Sequence, residues 1–367
     1  MRLAIILVHY HTPGLAAAAL EALRADVAGL GLAIDWLLVD NGSTEEERAS
    51  LATLPVRRID PGRNLGYAGG VNSGVAETDA ELLLAMNPDV IVFPGCVPAL
   101  IERLMAAGDA RDIAAIAGPA FYWDHGRRLL LPPAERRGRR EELATVLARR
   151  DAARGARARR RWRRHARRHW QAKAPLPSHA LSGSLLAMTR PAWEAVGPFD
   201  EGFQLFFEET DWLLRAEQRG VPAWYVPAAE AVHLHNQSAG REPRAQGWFE
   251  ESARRFRRLH YGEGFAAALE ALSGESSSIP EAPPPLPPEG LDLSGLPFPL
   301  WVEVSPNPEG FPAAAELLEA PPAGPWRLPT EVEDRLPPGT VLTVQAADAS
   351  GRELLRGRLA RDGERAG

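Results

Sequence analysis

The sequence contains very little cysteine and very little lysine. Cys96 is alone among 367 residues, so no disulfide can form within the chain, and a reducing compartment is expected. The formal net charge is -6, and almost every basic residue is arginine, with Lys173 as the one lysine. A dense arginine stretch from Arg127 to Arg168 leaves the rest of the chain distinctly acidic.

Long apolar runs are also missing. Leu3 to Val8 is too short for the core of a secretory signal, and no cleavage-like site follows it. No run approaches the roughly 18 apolar residues that a membrane span requires. We therefore expect a protein that is made and kept in the cytoplasm. Its 45% hydrophobic content suits one large folded domain and a smaller one.

The glycine fingerprint of dinucleotide-binding enzymes is absent from its usual place. Leu3 to Val8 has the pattern of a strand buried on both faces, and Thr12-Pro13 suits the start of a helix, which opens a βαβ series. The connection between them reads HYHTPG instead of G-x-G-x-x-G, which disfavours a Rossmann dehydrogenase. The same connection argues against a nucleotidyltransferase, where we expect a glycine-rich loop with basic residues.

Carboxylates follow two of the predicted strands, where open α/β sheets bind their ligands. Asp40 ends the strand that begins at Asp35, just before a predicted capping box of Ser43 and Glu46. It suits the N3–H of a pyrimidine base or a ribose hydroxyl, although an ordinary turn residue is the alternative. Asp89, after the strand from Glu81 to Met86, offers a hard oxygen ligand for Mg²⁺ or Mn²⁺ bridging a diphosphate.

Two glycine-containing segments are predicted to be loops. Residues 64–74 read NLGYAGGVNSG, and their glycines would let a ligand approach the backbone while Asn64 and Asn72 donate to sugar or phosphate oxygens. The second segment, around Gly183, feeds a later strand.

Two histidines, His233 and His235, come after short predicted strands at residues 224–226 and 231–232. A neutral imidazole is a good ligand for a divalent ion, so the pair suggests a metal site. An isolated surface histidine is the alternative reading of each.

The stretch from Gly197 to Arg215 carries Glu208, Glu209 and Asp211 among aromatic and apolar residues. We predict a helix from near Glu208 to Gly220, which places the acids in its first turn. The helix dipole favours their ionised form there, and an ionised carboxylate beside apolar walls suits a general base. Simple capping of the helix is the alternative.

The C-terminal third is predicted to hold a basic amphipathic helix from Arg254 to Leu272, a linker over 273–297 and a small β-rich domain over 298–367. The β-rich part carries no cluster of catalytic residue types.

The arginine-rich tract from Ala152 to Trp170 contains no acid, and Trp162, Ala166 and Trp170 share one helical face. We expect the whole stretch from Arg127 to Arg168 to dock on an anionic membrane surface, with arginines near the headgroups and the tryptophans at headgroup level. A solvated insertion and a nucleic-acid-binding tract are the alternatives.

The order of these motifs resembles the family 2 glycosyltransferases of the GT-A fold, and within them the rhamnosyltransferase-like branch. The resemblance covers about residues 3–260 and rests on VDNGS, NLGYAGGVNSG, NPDV, GPFDEGF, FFEETDWLLR and VHLHNQS. It implies an α/β fold with a Rossmann-like, mostly parallel sheet flanked by helices over residues 1–272. An arginine-rich helical insertion at about 124–177 would interrupt that domain, and the small C-terminal β-domain would follow.

The resemblance also assigns roles. Nucleotide-sugar binding falls to Asp40, Asn64, Gly66, Gly69, Asn72, Asn87 and Gly183. The acceptor side falls to Asp200 and Glu208, and the metal to Asp89 with His233 or, alternatively, His235. The base would be Glu209, with Asp211 as its rival.

The implied reaction is a single displacement that inverts the anomeric carbon. A divalent cation, Mg²⁺ or Mn²⁺, would offset charge on the leaving nucleoside diphosphate, and dTDP-rhamnose is the donor suggested by the branch. The acceptor would be a saccharide or lipid-linked saccharide in cell-wall or surface polysaccharide synthesis. A sugar-nucleotide nucleotidyltransferase and a non-enzymatic binder of anionic surfaces or nucleic acid are the rival functions.

Overall fold

The computed structural model describes residues 1–148, 151–234, 244–274, 283–287 and 289–361. The chain divides into two compact units. Unit 1 comprises Met1–Phe121 and Ala172–Ala266, and unit 2 comprises Tyr122–Gln171 and Ala267–Gly367. Across the described ranges, no helix is both long enough and apolar enough to cross a membrane.

The strands, in chain order, are β1 (Arg2–His9), β2 (Ala33–Asp40), β3 (Arg57–Ile59), β4 (Leu82–Met86), β5 (Val90–Val92), β6 (Ile116–Tyr122), β7 (Leu130–Leu131), β8 (Leu176–Pro177), β9 (Leu185–Thr189), β10 (Ala223–His233), β11 (Leu300–Ser305), β12 (Ala314–Leu318), β13 (Val341–Asp348) and β14 (Glu353–Ala360).

The helices are α1 (Pro13–Val27), α2 (Glu45–Leu51), α3 (Gly66–Ala76), α4 (Cys96–Met105), α5 (Arg139–Ala148), α6 (Ala152–Trp170), α7 (Arg190–Val196), α8 (Glu208–Gln218), α9 (Ala245–Tyr261), α10 (Glu263–Gly274) and α11 (Thr330–Arg335).

Unit 1 is built on a sheet in the order β6-β9-β4-β1-β2-β3. The four strands β4, β1, β2 and β3 are parallel, whereas β9 runs antiparallel to β4 and to β6. The predicted apolar run Leu3–Val8 is buried, as expected for the central strand of a sheet covered on both faces. The expected α/β class is confirmed. Because His9 pairs with Asp40 and Leu7 with Met86, the carboxyl ends of β2 and β4 reach the same edge.

The start of α2 differs by one residue from the predicted capping box. Thr44 and Glu47 form the box: the Thr44 side chain accepts from the Glu47 backbone, and the Glu47 side chain accepts from the Thr44 backbone. Ser43 is instead buried, and its backbone N–H donates to the Asp40 carboxylate at 3.0 Å. The turn after β2 therefore uses one more residue than the sequence pattern suggested.

The predicted glycine loop at residues 64–74 is wrong, because most of it forms α3. Its glycines allow the helix to pack closely: a methyl group at Gly70 would collide with Val8, and one at Gly74 would collide with Ile6. Gly66 has a φ of +72° and lies against the backbone of Gln204. The small residues thus serve helix packing rather than an open ligand loop.

Two other predicted elements differ in the second half of unit 1. The short strands predicted at residues 224–226 and 231–232 are parts of one continuous strand, β10, which is antiparallel to β5 and β8. The single helix predicted from Arg254 to Leu272 is two helices, because Gly262 between α9 and α10 adopts a φ of +86° and ends the first. The predicted start of α8 at Glu208 is confirmed.

Unit 2 is an antiparallel sheet in the order β14-β13-β11-β12-β7. The predicted linker over 273–297 is partly wrong, because Leu291 and Leu293 are buried in the core of this unit. Residues 275–282 and 288 of that segment lie outside the described ranges. The arginine-rich stretch also belongs to this unit, so the expected insertion and the expected C-terminal β-domain fold together.

The tryptophan face of α6 is buried, contrary to the prediction. Trp162, Ala166 and Trp170 are buried and pack with Trp301, and the Trp170 and Trp301 rings stack at 4.8 Å between centroids. The indole N–H of Trp170 donates to the Leu130 carbonyl at 2.9 Å. The predicted placement of these rings at a membrane surface is therefore wrong, because they form a core within unit 2.

Arg163 anchors the same helix through a buried ion pair. Its side chain, 4% exposed, donates to both carboxylate oxygens of Glu303 at 2.8 and 2.9 Å. It also donates to Gln345 at 3.0 Å and to Glu353 at 3.1 Å. Burial raises the pKa of Glu303, and the charge of Arg163 opposes that rise. The pair therefore ties α6 to β11, β13 and β14.

We predict that Arg163→Leu destabilises the protein by about 3–5 kcal/mol, because it leaves the Glu303 carboxylate buried without its charge partner. Arg164→Leu is the matched control, since that side chain is exposed and such changes usually stay within about 0.5 kcal/mol. Urea unfolding followed by fluorescence compares the two. Equal midpoints for both variants would show that α6 is not anchored as described.

Candidate active site

A histidine and an aspartate meet at the sheet edge of unit 1. Asp89 follows β4, and its Oδ1 lies 3.6 Å from His233 Nε2 at the end of β10. The backbone N–H of Leu234 donates to the Asp89 carbonyl at 2.9 Å, which holds the two segments together. Ser184 Oγ lies 3.3 Å from His233 Nε2. The structure thus brings together the predicted residues Asp89 and His233.

Glu209 of α8 reaches this edge of the sheet at Gly183. A methyl group at Gly183 would lie 2.9 Å from Glu209 Cβ, so only glycine leaves space for the glutamate. The Tyr67 hydroxyl donates to the Gly183 carbonyl at 2.6 Å. The pKa of Tyr67 is raised well above its ordinary value by burial and then by the charges of Glu208, Glu209 and Asp89. These carboxylates therefore surround one buried phenol.

The turn before α8 is conformationally unusual. Phe206 and Phe207 both adopt positive φ values, 66° and 69°, a region that large side chains rarely occupy. Aromatic contacts hold the turn: the Phe207 ring lies 5.5 Å from those of Phe249 and Phe256. Such backbone strain persists where surrounding packing imposes it and is concentrated at functional sites. Here it sets the direction in which Glu208 and Glu209 leave the chain.

The three acids of α8 have three different environments. Glu208 is 5% exposed, and burial together with the charge of Glu209 raises its pKa well above the ordinary value, which favours the protonated acid. Glu209 is half-buried, and its Oε1 accepts from the Thr210 hydroxyl at 3.3 Å. Glu209 is therefore the partly accessible acid next to Gly183.

Asp211 is held by a histidine and an arginine. His260 Nε2 lies 2.8 Å from Oδ1, and Arg215 Nε donates to Oδ2 at 2.8 Å. Burial raises the pKa of Asp211, but the hydrogen bond with His260 and the charge of Arg215 outweigh it, so the pKa is lowered. Both oxygens are thus engaged in joining α8 to α9 and to the α7–α8 connection.

A polar network surrounds the end of β2. Asp40 is fully buried, with Oδ2 3.8 Å from Arg48 Nε. Next to it, His9 Nε2 accepts from the Thr12 backbone at 2.9 Å, and Nδ1 lies 3.2 Å from Ser43 Oγ. Burial lowers the pKa of His9 to about 4 although Asp40 raises it, so His9 is neutral. Sequence reasoning missed His9, whose signal was its place directly after the first strand.

Several other residues predicted to contact the nucleotide or the acceptor form hydrogen bonds or ion pairs within the protein. The Asn64 side chain accepts from the Gly66 backbone at 2.8 Å, and that of Asn72 bonds both backbone groups of Phe199 at 3.0 Å. The carboxylate of Asp200 pairs with Arg255 at 2.7 Å. Their roles toward nucleotide or acceptor stay predictions, as do those of Gly69 and of Asn87, whose backbone donates to Ser184.

The donor set fits a divalent cation in part. One carboxylate and one imidazole within 3.6 Å of each other are suitable ligands, and such ions commonly complete their coordination with substrate phosphates and water. Within the described ranges, no group of three or more His, Cys, Asp or Glu side chains forms a potential metal site. The alternative ligand His235 lies outside those ranges.

Comparison with known proteins identifies the family. Residues 4–174 match the family model described as glycosyl transferase family 2. An N-acetylglucosaminyl-diphospho-decaprenol L-rhamnosyltransferase of Mycobacterium tuberculosis is 31% identical over 242 residues, covering 60% of this chain and 74% of that protein. A low-salt glycan biosynthesis hexosyltransferase of Haloferax volcanii is 23% identical over 239 residues, covering 63% and 66%. The chain belongs to the family 2 glycosyltransferases.

Solved structures align more loosely. The mannosyltransferase of Pyrobaculum calidifontis, solved with GDP-Man and Mn²⁺, gives a TM-score of 0.43 at 14% identity, with 76% of each chain covered. TarS 1-349 of S. aureus gives 0.41 at 12% identity, covering 74% of this chain and 69% of that one.

We predict that Asp211→Asn lowers the free energy of unfolding by about 1–3 kcal/mol at neutral pH, because it removes the charge that pairs with Arg215 and His260. The lowered pKa means that this stabilisation is present above the ordinary aspartate range, near pH 4, and is lost as the pH falls through the folded-state value. The difference from the parent protein should therefore shrink below about pH 4.

Denaturant unfolding between pH 3 and pH 7 measures this, with Glu209→Gln as the matched control in the same helical turn. A stability difference that does not change with pH would contradict the assigned pairing.

Proposed function

We propose that this chain transfers a sugar from a nucleoside-diphosphate donor to a hydroxyl of a saccharide acceptor, with inversion at the anomeric carbon. The observation that carries the proposal is the meeting of two groups at Gly183–Ser184: the Asp89–His233 pair on one side and Glu209 on the other. A displacement requires a cationic centre for the leaving diphosphate and a base for the attacking hydroxyl. The Asp89–His233 pair would hold a divalent cation, and Glu209 would serve as the base.

Glu209 is the proposed general base. Its carboxylate is half-buried in the first turn of α8, where the helix dipole favours the ionised form. The neighbouring acids are occupied differently, since the protonated state of Glu208 is favoured and both oxygens of Asp211 are engaged. Glu209 removes the proton of the acceptor hydroxyl. The hydroxyl oxygen attacks the anomeric carbon, and the bond from that carbon to the nucleoside diphosphate breaks.

Asp89 and His233 are the proposed ligands of a divalent cation, Mg²⁺ or Mn²⁺. When bound, the ion offsets the negative charge of the nucleoside diphosphate as it leaves. Ser184 Oγ lies 3.3 Å from Nε2, the same nitrogen that faces Asp89, so the ion would replace this contact. The same edge offers Asp40 for the nucleobase or ribose, although its carboxylate is fully buried.

For the substrates, we propose a dTDP-rhamnose donor and a lipid-linked saccharide acceptor in cell-wall or surface polysaccharide synthesis. The support is that the Mycobacterium tuberculosis relative is an N-acetylglucosaminyl-diphospho-decaprenol L-rhamnosyltransferase. Of the residues predicted on the acceptor side, Asp200 lies in the α7–α8 connection and Glu208 begins α8 directly before Glu209. A nucleotidyltransferase and a purely non-enzymatic binder gain no support from this arrangement.

We further propose that the protein attaches peripherally to the inner face of the cell membrane. The tryptophans of α6 are buried, so this proposal rests on the positive charge of exposed arginines. Exposed arginines remain on α6 and on α9, where Arg254 and Arg258 lie near the exposed side chain of Leu259. Each helix, α6 in unit 2 and α9 in unit 1, carries exposed arginines that suit anionic headgroups.

We predict that Glu209→Gln lowers turnover by about two orders of magnitude or more while donor affinity is kept, because the base is lost and the side-chain shape is retained. Release of nucleoside diphosphate in the presence of acceptor measures turnover, and calorimetric titration with the donor measures affinity. Asp211→Asn is the comparison variant. If that change abolishes turnover in folded protein and Glu209→Gln is nearly silent, the assignment of the base is wrong.

We predict that Asp89→Ala removes divalent-dependent binding of the nucleotide sugar while leaving the fold intact. The carboxylate lies at a strand end, so its loss should affect ion binding more than the apolar core. Calorimetric titration with donor, with and without Mn²⁺, measures the effect, and Asp60→Ala is a control on an exposed loop carboxylate. Undiminished Mn²⁺-dependent binding by the Asp89 variant would overturn the metal assignment.

A further inference from the structure

A cleft within unit 2 is lined mainly by arginine. It lies between α6 and the β13–β14 connection and has a volume of about 670 Å³, which is within the range of small-ligand sites. The arginines lining it are Arg159, Arg160, Arg163, Arg164, Arg167 and Arg352. Glu353 is the one carboxylate in the lining.

Several of these arginines are fixed by pairing. Arg163 is held by the buried Glu303, and Arg159 Nε lies 3.3 Å from Glu353. The Arg167 guanidinium donates to two backbone carbonyls of the β13–β14 connection, those of residues 348 and 349. The floor of the cleft is therefore rigid and preorganised before any ligand arrives.

Two arginines remain over this floor without such pairing. Arg160 and Arg164 are exposed, lie one helical turn apart on α6, and have no carboxylate partner among the residues that the structure describes. Their guanidinium groups are therefore available to a ligand.

Positive charge is crowded in the cleft. The pKa of Arg167 is lowered first by burial and also by the nearby Arg163, even though Glu303 raises it. The pKa of Arg356, which lies on β14 outside the lining, is lowered by burial and by the cleft arginines Arg159 and Arg163. A bound anion would relieve this repulsion.

The lining also indicates what kind of anion fits. Guanidinium groups present forked donors that match phosphate oxygens two at a time. No aromatic side chain lines the cleft, so it has no platform for stacking a nucleic-acid base. A compact group with several phosphate charges suits six arginines better than a single carboxylate does.

We propose that this cleft binds a phosphate-bearing ligand with more than one negative charge, whose phosphates come either from a small molecule or from lipid headgroups. The site lies in unit 2 and does not depend on the proposed sugar transfer in unit 1. Arg160 and Arg164 contact the phosphates directly, and Arg163 positions the helix that carries them.

Calorimetric titration of the full chain with inorganic pyrophosphate tests the proposal. We expect saturable binding that weakens at least about tenfold in the double variant Arg160→Gln and Arg164→Gln, because each lost guanidinium removes charge-assisted hydrogen bonds. The matched control is Arg140→Gln with Arg157→Gln. These two arginines are exposed in unit 2 and lie outside the cleft, so the control makes the same change in net charge and should keep the parent affinity.

Vesicle sedimentation distinguishes the two sources of phosphate. Binding to phosphatidylglycerol vesicles but not to phosphatidylcholine vesicles, lost in the cleft variant and kept in the control, identifies lipid headgroups. Pyrophosphate binding that depends on the cleft, with vesicle binding equal in both variants or absent, identifies a small phosphate ligand. Neither kind of binding by the parent protein, or equal loss in cleft and control variants for both ligands, would overturn the proposal.

Sugar transfer by the same variants is measured in parallel. Unchanged transfer with lost pyrophosphate binding shows that the cleft acts independently of the catalytic site.

Discussion

Three carboxylates within four residues repel one another, and the catalytic half of the molecule depends on how its surroundings separate them. The packing around α8 buries Glu208 so that its pKa rises, and His260 and Arg215 hold Asp211 so that its pKa falls. Glu209 is left half-buried beside Gly183. One helical turn thus contains an acid that favours the neutral form, a paired anion and an accessible carboxylate, which is the division of labour that a single-base displacement needs.

A buried arginine plays the corresponding role in unit 2. Charge of one sign is costly to concentrate on a helix, yet nine of the 19 residues of α6 are arginine. The helix is retained because Arg163 reaches Glu303 and because Trp162 and Trp170, on the same inward side of α6, are buried in unit 2. The arginines that remain over this anchored floor form a fixed cationic cleft, in contrast to a flexible basic tail whose charges would be spread over many conformations.

The sequence was sufficient for the parallel half of the sheet and for the position of Asp89 at its edge. Continuous apolar runs predicted β1, β2 and β4, and the polar residues after them predicted where Asp89 would lie, because strand periodicity and strand ends are local properties. The sequence was insufficient for features that depend on contacts with distant parts of the chain. The glycines of α3 were interpreted as a ligand loop, although their function is set by Val8 and Ile6 on another element.

The tryptophans of α6 were misplaced for a similar reason. A helix with arginines on one face and tryptophans on the other has the same pattern whether a bilayer or Trp301 covers the aromatic side. The partner lies more than a hundred residues later in the chain, and nothing within the helix reveals it. The sequence likewise could not show the contact of Asp211 with α9, on which our preference for Glu209 as the proposed base depends.

The central claim is that this chain is a metal-dependent sugar transferase whose leaving group is a nucleoside diphosphate. A screen of nucleotide sugars for nucleoside diphosphate release, with a lipid-linked saccharide acceptor and with or without Mg²⁺ or Mn²⁺, tests it most directly. The account predicts release from at least one donor, dependent on acceptor and divalent ion. Absence of release from every donor, accompanied by pyrophosphate formation from a nucleoside triphosphate and a sugar phosphate, would contradict it and identify a nucleotidyltransferase.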